Sequence, residues 1–97
     1  MSEGKKSWKI REPRNWQKQL DGLPYHIEKK LLAVLADLST LENPAAFGVL
    51  EKNLKYGSAY ILRLDRSYRL AYQVDFAERV IILYRVGDHK AVGSKES

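Results

Sequence analysis

The chain contains no cysteine, and its 97 residues include only two histidines and three prolines. The missing thiols exclude disulfides, thiolate metal sites and cysteine nucleophiles. His26 and His89 are far apart in sequence, and neither has a spacing typical of metal ligands, so we expect no metal site. No apolar run approaches the roughly 20 residues that a membrane-spanning helix needs. The basic N-terminus lacks the apolar segment of a signal peptide, so we expect a cytoplasmic protein with no membrane role.

The composition is that of an ordinary globular protein with an excess of positive charge. Hydrophobic residues make up 44% of the chain and charged residues 30%, which argues against disorder. The length suits one domain, and we expect a single domain over 1–97 with an ordered core of about 7–93. Seventeen lysines and arginines against twelve acidic residues give a formal net charge of +5. This balance favours a polyanionic partner, although small soluble proteins also carry spare charge for solubility alone.

The hydrophobic pattern predicts the order β-α-α-β-β-β. Alternation over Ser7–Glu12 predicts a short first strand. Pro13 and Pro24 open two helices, over about Arg14–Leu20 and along the helical repeat from Ile27 to Leu41. Residues 45–53 are predicted to be a connection that can hold a helical turn. We therefore expect an α+β fold, in which a mainly antiparallel four-stranded sheet packs on an αα-hairpin.

After Gly57 the hydrophobic period changes to two, and this predicts three strands joined by tight hairpins. The strands are predicted over Ser58–Leu64, Tyr68–Asp75 and Arg79–Val86. Alternation turns the apolar and aromatic positions, including Ile82 and Tyr84, toward the helices. The same alternation places Ile81, Leu83 and three arginines on the opposite face, and those arginines are Arg63, Arg69 and Arg85.

Three arginines on neighbouring strands can form a compact cationic row. Clustered like charges are unfavourable unless an anion neutralises them, and the planar guanidinium suits phosphate oxygens. A phosphate-binding face is one interpretation. The other is a solvated face whose arginines pair with Asp65, Asp75 or Glu78, and the pattern alone does not separate the two. Local charge adds some support to the first, because residues 49–69 hold five basic and two acidic side chains.

Two segments near the C-terminus resemble the RelE/ParE toxin superfamily. The run Tyr68–Val74 (YRLAYQV) is similar to the family's "YRLxYxV" strand, and Val86–Lys90 (VGDHK) is similar to its closing glycine turn. The element order also fits, and the resemblance covers about residues 7–93. It implies the RelE-like microbial RNase fold and the toxin of a type II toxin–antitoxin pair, which forms an oligomer with its antitoxin.

For the RelE branch, the resemblance implies a ribosome-dependent mRNA endoribonuclease that uses no metal or other cofactor. Its partners are then mRNA, the ribosome and an antitoxin rich in acidic residues. The positions that match the family's catalytic residues are Arg63, Arg69, His89 and Lys90. His89 is the one near-neutral proton shuttle in that region, although an exposed turn residue would also fit this position. We expect further RNA contacts from basic residues on and around the strands, namely Lys52, Lys55, Arg66 and Arg85.

Two departures from the family pattern keep other functions open. Gly93 stands where the family often has tyrosine, and Ile61 stands where some RelE proteins have a basic residue. These differences are compatible with a ParE-like gyrase inhibitor or a catalytically impaired binding protein. A basic RNA-binding domain without toxicity is a third possibility. We expect His26, near a helix start, to be a surface residue.

Overall fold

A computed structural model describes residues 7–55 and 57–93, without the side chains of Asn53 and His89. The N-terminal lysines that contribute to the predicted basic charge, Lys5 and Lys6, lie outside the described residues. The fold is α+β, which confirms the predicted class. The sheet, however, has five strands instead of the predicted four, in the order β1-β5-β4-β3-β2. The strands are β1 Lys9–Arg11, β2 Val49–Leu54, β3 Gly57–Arg63, β4 Tyr68–Asp75 and β5 Val80–Asp88.

The additional strand is β2, which lies in the segment predicted to be a connection. A 3₁₀ turn over Pro44–Phe47 precedes it, so the expected helical turn is present as well. Asn43 begins that turn, because its side-chain oxygen accepts a hydrogen bond from the Ala45 amide at 3.1 Å. β2 pairs antiparallel with β3 and forms one edge of the sheet.

Three helices accompany the sheet: α1 Trp16–Asp21, α2 Tyr25–Leu38 and α3 His89–Val92. The first two match the predicted pair, although α2 ends at Leu38 and only turns continue to Leu41. α3 was predicted as part of a turn. Among the described residues, no helix is long and apolar enough to cross a membrane.

α1 and α2 pack on one side of the sheet, which we call the helix face. α2 contributes Ile27, Leu31, Val34, Leu35 and Leu38 at helical spacing. They meet apolar side chains from three strands, which are Leu62, Leu64, Leu70, Tyr72, Val74, Ile81, Leu83 and Val86. This cluster is the main hydrophobic core.

The facing of β5 differs from the prediction at Ile81, Ile82, Leu83 and Tyr84. Leu83 pairs with Tyr72 and Arg85 pairs with Ala71, so Tyr84 is an extra residue in the ladder. Such a β-bulge interrupts the alternation of side chains. Ile81 and Leu83 consequently join the helix face, and Tyr84 packs on the other side of the sheet. The prediction for these positions was wrong because strict alternation contains no bulge.

The N-terminal strand closes the far edge of the sheet. β1 pairs parallel with Val80–Ile82 of β5, as the predicted joining of the first strand to the meander requires. The buried Trp8 precedes β1, and its indole nitrogen donates to the Leu41 carbonyl at 2.8 Å. The Arg79 guanidinium lies 4.2 Å from the centre of the Trp8 ring, so a cation–π contact ties the β4–β5 turn to this corner.

Candidate nucleic-acid interface

The three predicted arginines lie on one side of the sheet, opposite the helix face, and we call this side the basic face. Arg63 and Arg69 are direct cross-strand partners, and Arg69 is also paired with Gly87. Arg85 pairs with Ala71 one row further along. Because paired residues of antiparallel strands point to the same side, the side chains of Arg63, Arg69 and Arg85 all emerge on the basic face.

Arg69 differs from the other two arginines because it is only 3% exposed. Its Nη1 atom donates to the backbone carbonyls of Asp65, Arg66 and Tyr68 at 3.0, 3.1 and 3.3 Å. The guanidinium therefore holds the turn between β3 and β4. Arg63 and Arg85, by contrast, are exposed.

The β3–β4 turn is fixed from within by Asp65. Its Oδ1 atom accepts hydrogen bonds from the amides of Tyr68 and Ser67, both at 2.8 Å. These two bonds lower the pKa of the Asp65 carboxyl, with smaller electrostatic contributions from His26 and Arg69. The turn presents Arg66 as an exposed residue at the end of the basic face.

α3 folds over the basic face and is anchored at both ends. At its start, Asp88 Oδ1 accepts the Ala91 amide at 2.8 Å, and Gly87 leaves room for Ala91, since a Cβ atom at Gly87 would lie 3.0 Å from the Ala91 methyl. At its end, Val92 is fully buried against a small apolar cluster on the sheet, made of Leu54, Ala59, Ile61 and Ala71. Gly93 follows with φ +83°, a backbone conformation that favours glycine after a helix.

This arrangement creates a pocket of about 190 Å³ between α3 and the end of β2. Lys55, Arg85 and Lys90 line it together with residues 91–93. The fold thus brings Lys55 to one cavity with Arg85, which is 30 positions later in the chain, and with Lys90 of α3. We call it the cationic pocket.

The remaining predicted residues are distributed around this face. Lys52 is exposed on the edge strand β2, and His89 begins α3 while its side chain lies outside the described part of the structure. Ile61, the apolar residue at a basic family position, is buried under Val92. His26 is exposed in the first turn of α2, as expected. Among the described residues, no three His, Asp or Glu side chains are close enough together to hold a metal ion.

Asp88 and the backbone of residues 91–93 are parts of this region that were not predicted from the sequence. Asp88 carries a recognisable signal, since aspartate is a preferred residue just before a helix. A helix of four residues is too short to show a helical repeat in the sequence. Asp88 could therefore not be interpreted as the residue before a helix.

Comparison with solved structures identifies the architecture. The RelBE2 toxin–antitoxin complex of Mycobacterium tuberculosis contains a chain that superposes with a TM-score of 0.69 at 22% identity, covering 84% of this chain and 91% of that one. The RelE–RelB complex of the archaeon Pyrococcus horikoshii gives 0.65 at 21% identity, with coverages of 84% and 94%. A mutant of the Escherichia coli toxin RelE in its free state gives 0.65 at 24% identity, with coverages of 88% and 86%.

This chain has the RelE toxin fold. The agreement extends over most of both chains in each comparison. No protein-family model and no curated protein sequence matches the chain. The likeness to RelE toxins is therefore carried by the arrangement of the backbone, and function has to be argued from the side chains of this chain.

Proposed function

We propose that this chain is the toxin of a type II toxin–antitoxin pair and cuts mRNA at the ribosome without a metal. The carrying observation is the basic face, on which exposed Arg63 and Arg85 flank buried Arg69 beside Lys55 and Lys90. A sheet face with clustered cations matches the backbone of a nucleic acid, whose phosphates dominate such binding. The RelE fold supports the toxin role, because the solved structures compared above are a RelE toxin and toxin–antitoxin complexes.

The proposed reaction needs no cofactor. The ribose 2′-hydroxyl oxygen attacks the adjacent phosphorus, its proton passes to a base, and the bond to the 5′-oxygen breaks as that oxygen takes a proton from an acid. Arg63 stabilises the negative charge that develops on the phosphate. His89 exchanges the protons, since imidazole titrates near neutral pH. Arg69 holds the β3–β4 turn next to Arg63. The flanking RNA backbone is contacted by Lys52, Arg66, Arg85 and Lys90.

An antitoxin is the second expected partner. A segment rich in acidic residues would neutralise the basic face and keep RNA away from it, in an oligomer of the two proteins. A ribosomal target also places the toxin in the cytoplasm. A neighbouring reading frame that encodes a short acidic protein, and whose product prevents growth arrest in coexpression, would support this part of the proposal.

Translation in vitro with mapping of mRNA 5′ ends tests the activity. The wild-type chain is expected to produce discrete new ends only when ribosomes are present. Arg63→Gln should slow cleavage by about 10²–10³-fold, the usual loss when one charged stabiliser of a transition state is removed. Lys18→Gln, on the exposed side of α1, is the matched control and should cut at the wild-type rate. An absence of new ends at every concentration of wild-type protein would contradict the nuclease proposal.

A non-cleaving toxin is the alternative, and one observation favours it. Arg69 is buried with its Nη1 atom bonded to three carbonyls, and the apolar Ile61 is buried nearby, so a phosphate has less access to positive side chains here than the sequence suggested. A gyrase supercoiling and cleavage-complex assay separates the two, because a ribosome-directed nuclease leaves gyrase unaffected. Growth that continues normally on induction would instead indicate a basic RNA-binding domain without toxicity.

A further inference from the structure

The cationic pocket combines three positive side chains. Lys55 follows β2, Arg85 belongs to β5 and Lys90 belongs to α3, and none of the described residues that line the cavity is acidic. Bringing three like charges to one cavity raises the free energy of the folded protein. The cost falls when an anion occupies the cavity, so the pocket has the charge pattern of an anion site.

The chemistry of the lining favours a phosphate group over a carboxylate. Three cations exceed what one carboxylate neutralises, whereas a phosphate group offers several oxygens to several donors at once. Arg85 presents a planar fork that matches two phosphate oxygens, and the two lysines add point charges with rotatable donors.

The pocket is displaced from the Arg63–Arg69 pair by one row of the sheet. Gly87 is opposite Arg69, and Arg85 is two residues before Gly87 on the same strand. Two residues along a strand cover about 6.6 Å. The pocket therefore lies a nucleotide step away from the arginine pair, on the same face, where the phosphate of a neighbouring nucleotide would arrive.

We infer that the cationic pocket is a subsite for a single phosphate group of single-stranded RNA, and that Asp88 is the residue that positions it. The inference rests on the proposed function in taking RNA as the ligand. The pocket holds the phosphate next to the one bound at Arg63, and so fixes the register of the RNA strand on the basic face.

The role of Asp88 follows from its contact and not from its charge. Its carboxylate bonds the Ala91 amide and thereby fixes α3, which carries Lys90 and the backbone wall of the pocket. A negative charge near an anion site, taken alone, weakens anion binding. The hydrogen bond and the charge thus act in opposite directions on RNA affinity, which makes the two separable by mutation.

The first experiment measures binding of a labelled single-stranded oligouridylate to the isolated chain over a range of salt concentrations. Lys55→Gln, Arg85→Gln and Lys90→Gln should each weaken binding several-fold. Each should also reduce the salt slope of log affinity by about 0.7, the contribution of one phosphate contact in a single strand. Lys18→Gln and Lys30→Gln, on exposed helix positions, are the matched controls and should leave both quantities unchanged. Pocket variants that behave like these controls would overturn the inference.

The second experiment tests Asp88. Asp88→Ala removes the helix cap and should weaken RNA binding, although it also removes a negative charge. Asp88→Ser removes the charge but keeps a side-chain oxygen that can cap the helix, and it should bind at least as tightly as the wild type. Equal strengthening by both substitutions would show that only the charge matters, and would reject the positioning role. Urea denaturation of each variant verifies that it is folded.

Titration with inorganic phosphate identifies the ligand group directly. The amide resonances of residues 91–93 should shift on adding phosphate to the wild type and should not shift in Arg85→Gln. Phosphate-induced shifts of these amides that are as large in Arg85→Gln as in the wild type would overturn the inference. Neither measurement requires ribosomes or cleavage, so the subsite can be confirmed when no mRNA is cut, and it can fail when cleavage is present.

Discussion

Three aspartates at chain reversals illustrate how single residues shape this protein. Asp65, Asp75 and Asp88 each accept a backbone amide two or three residues further on, at 2.8 to 3.0 Å. Such contacts are a common reason for aspartate in turns and before helices. Asp65 lies in the turn that carries Arg66, and Asp88 precedes the helix that carries Lys90. Acidic residues next to these basic ones therefore stabilise local backbone structure as well as balancing charge.

Asp65 gives the folded protein a pH-dependent component of stability. Its folded pKa is lowered from the ordinary value of 3.8 by the Tyr68 and Ser67 amides. A lowered folded pKa stabilises the protein above the ordinary value, and this stabilisation is lost as the pH falls through the folded pKa. Asp65→Asn should therefore lower the urea midpoint near neutral pH, and its difference from the wild type should shrink as the pH falls below 3.8 and through the folded pKa of Asp65.

The control for this prediction is Asp37→Asn, on the exposed side of α2. Its difference from the wild type should not show the same convergence on acidification. A gap between Asp65→Asn and the wild type that stays constant over the whole pH range would contradict an ionic role for Asp65.

Gly48 is required for close packing and not for an unusual backbone conformation. Its φ is −118°, yet a Cβ atom there would lie 3.0 Å from the Tyr72 hydroxyl, 3.1 Å from the Ile61 carbonyl oxygen and 3.2 Å from the Tyr60 Cβ. The Tyr72 hydroxyl also donates to the Pro44 carbonyl at 2.7 Å, which limits its freedom to move. We predict that Gly48→Ala destabilises the fold by about 1–3 kcal/mol.

Gly22→Ala provides the comparison in chemical denaturation. The nearest atom to a Cβ at Gly22 is 3.6 Å away, and its φ of −86° suits alanine, so its unfolding free energy should change by less than about 0.5 kcal/mol. Equal effects of the two substitutions on the unfolding free energy would mean that the atoms around Gly48 can move aside to accommodate a methyl group without destabilising the fold.

The common facing of Arg63, Arg69 and Arg85 could be predicted from the sequence, since it follows from alternation along the strands. The burial of Arg69 could not be predicted in this way. It depends on the direction of three carbonyls in the β3–β4 turn, and turn geometry is set by Asp65 and the hairpin register together. A motif match identifies the residue type at position 69 but not the atoms that its guanidinium meets.

At the scale of elements, periodicity identified every helix and strand that carries several hydrophobic residues on one face. It missed β2 and α3, whose existence depends on tertiary contacts. β2 is held by pairing with β3, and Val49 and Leu50 remain exposed on it, so the segment has little alternation to detect. α3 has four residues, fewer than an isolated helix needs to form, and is held by Asp88 and Val92.

α1 completes an edge that β1 leaves open. β1 covers only Val80–Ile82 of β5, and further along that edge the buried Val86 donates its amide to Gln19 Oε1 at 2.8 Å. Asn15 supports the same side chain by accepting from Gln19 Nε2 at 2.9 Å. The Gln19 side chain thereby accepts the hydrogen bond that a neighbouring strand would otherwise accept at this position of the sheet.

We predict that Gln19→Leu destabilises the protein by about 1–3 kcal/mol, because it leaves the Val86 amide without its partner. Chemical denaturation measures the loss, and hydrogen exchange of the Val86 amide should accelerate more than that of its neighbours. Gln17→Leu removes only an exposed bond to Asp21, and its effect should be small. Unchanged exchange at Val86 in Gln19→Leu would show that another group takes over the amide.

At the scale of the whole molecule, the sheet is covered differently on its two sides. α1 and α2 bury the helix face in the main core, whereas α3 covers part of the basic face through a small cluster around Val92. The protein therefore combines a rigid apolar side with a side where cations surround a short, locally anchored helix. This asymmetry follows from the change of period along the sequence, but its detailed form required the bulge at Tyr84 and the edge strand β2.

The pairing of β1 with β5 joins the beginning of the described chain to its end. During synthesis, Lys9–Arg11 emerge early and stay without their partner strand until Val80–Ile82 have left the ribosome. Contacts between such distant segments form late, because a long loop has to close first. Nascent fragments that stop before β5 hence lack the strand that joins β1 to β4, and they lack Arg85 and α3 as well, so the basic face is complete only after β5 and α3 have been synthesised.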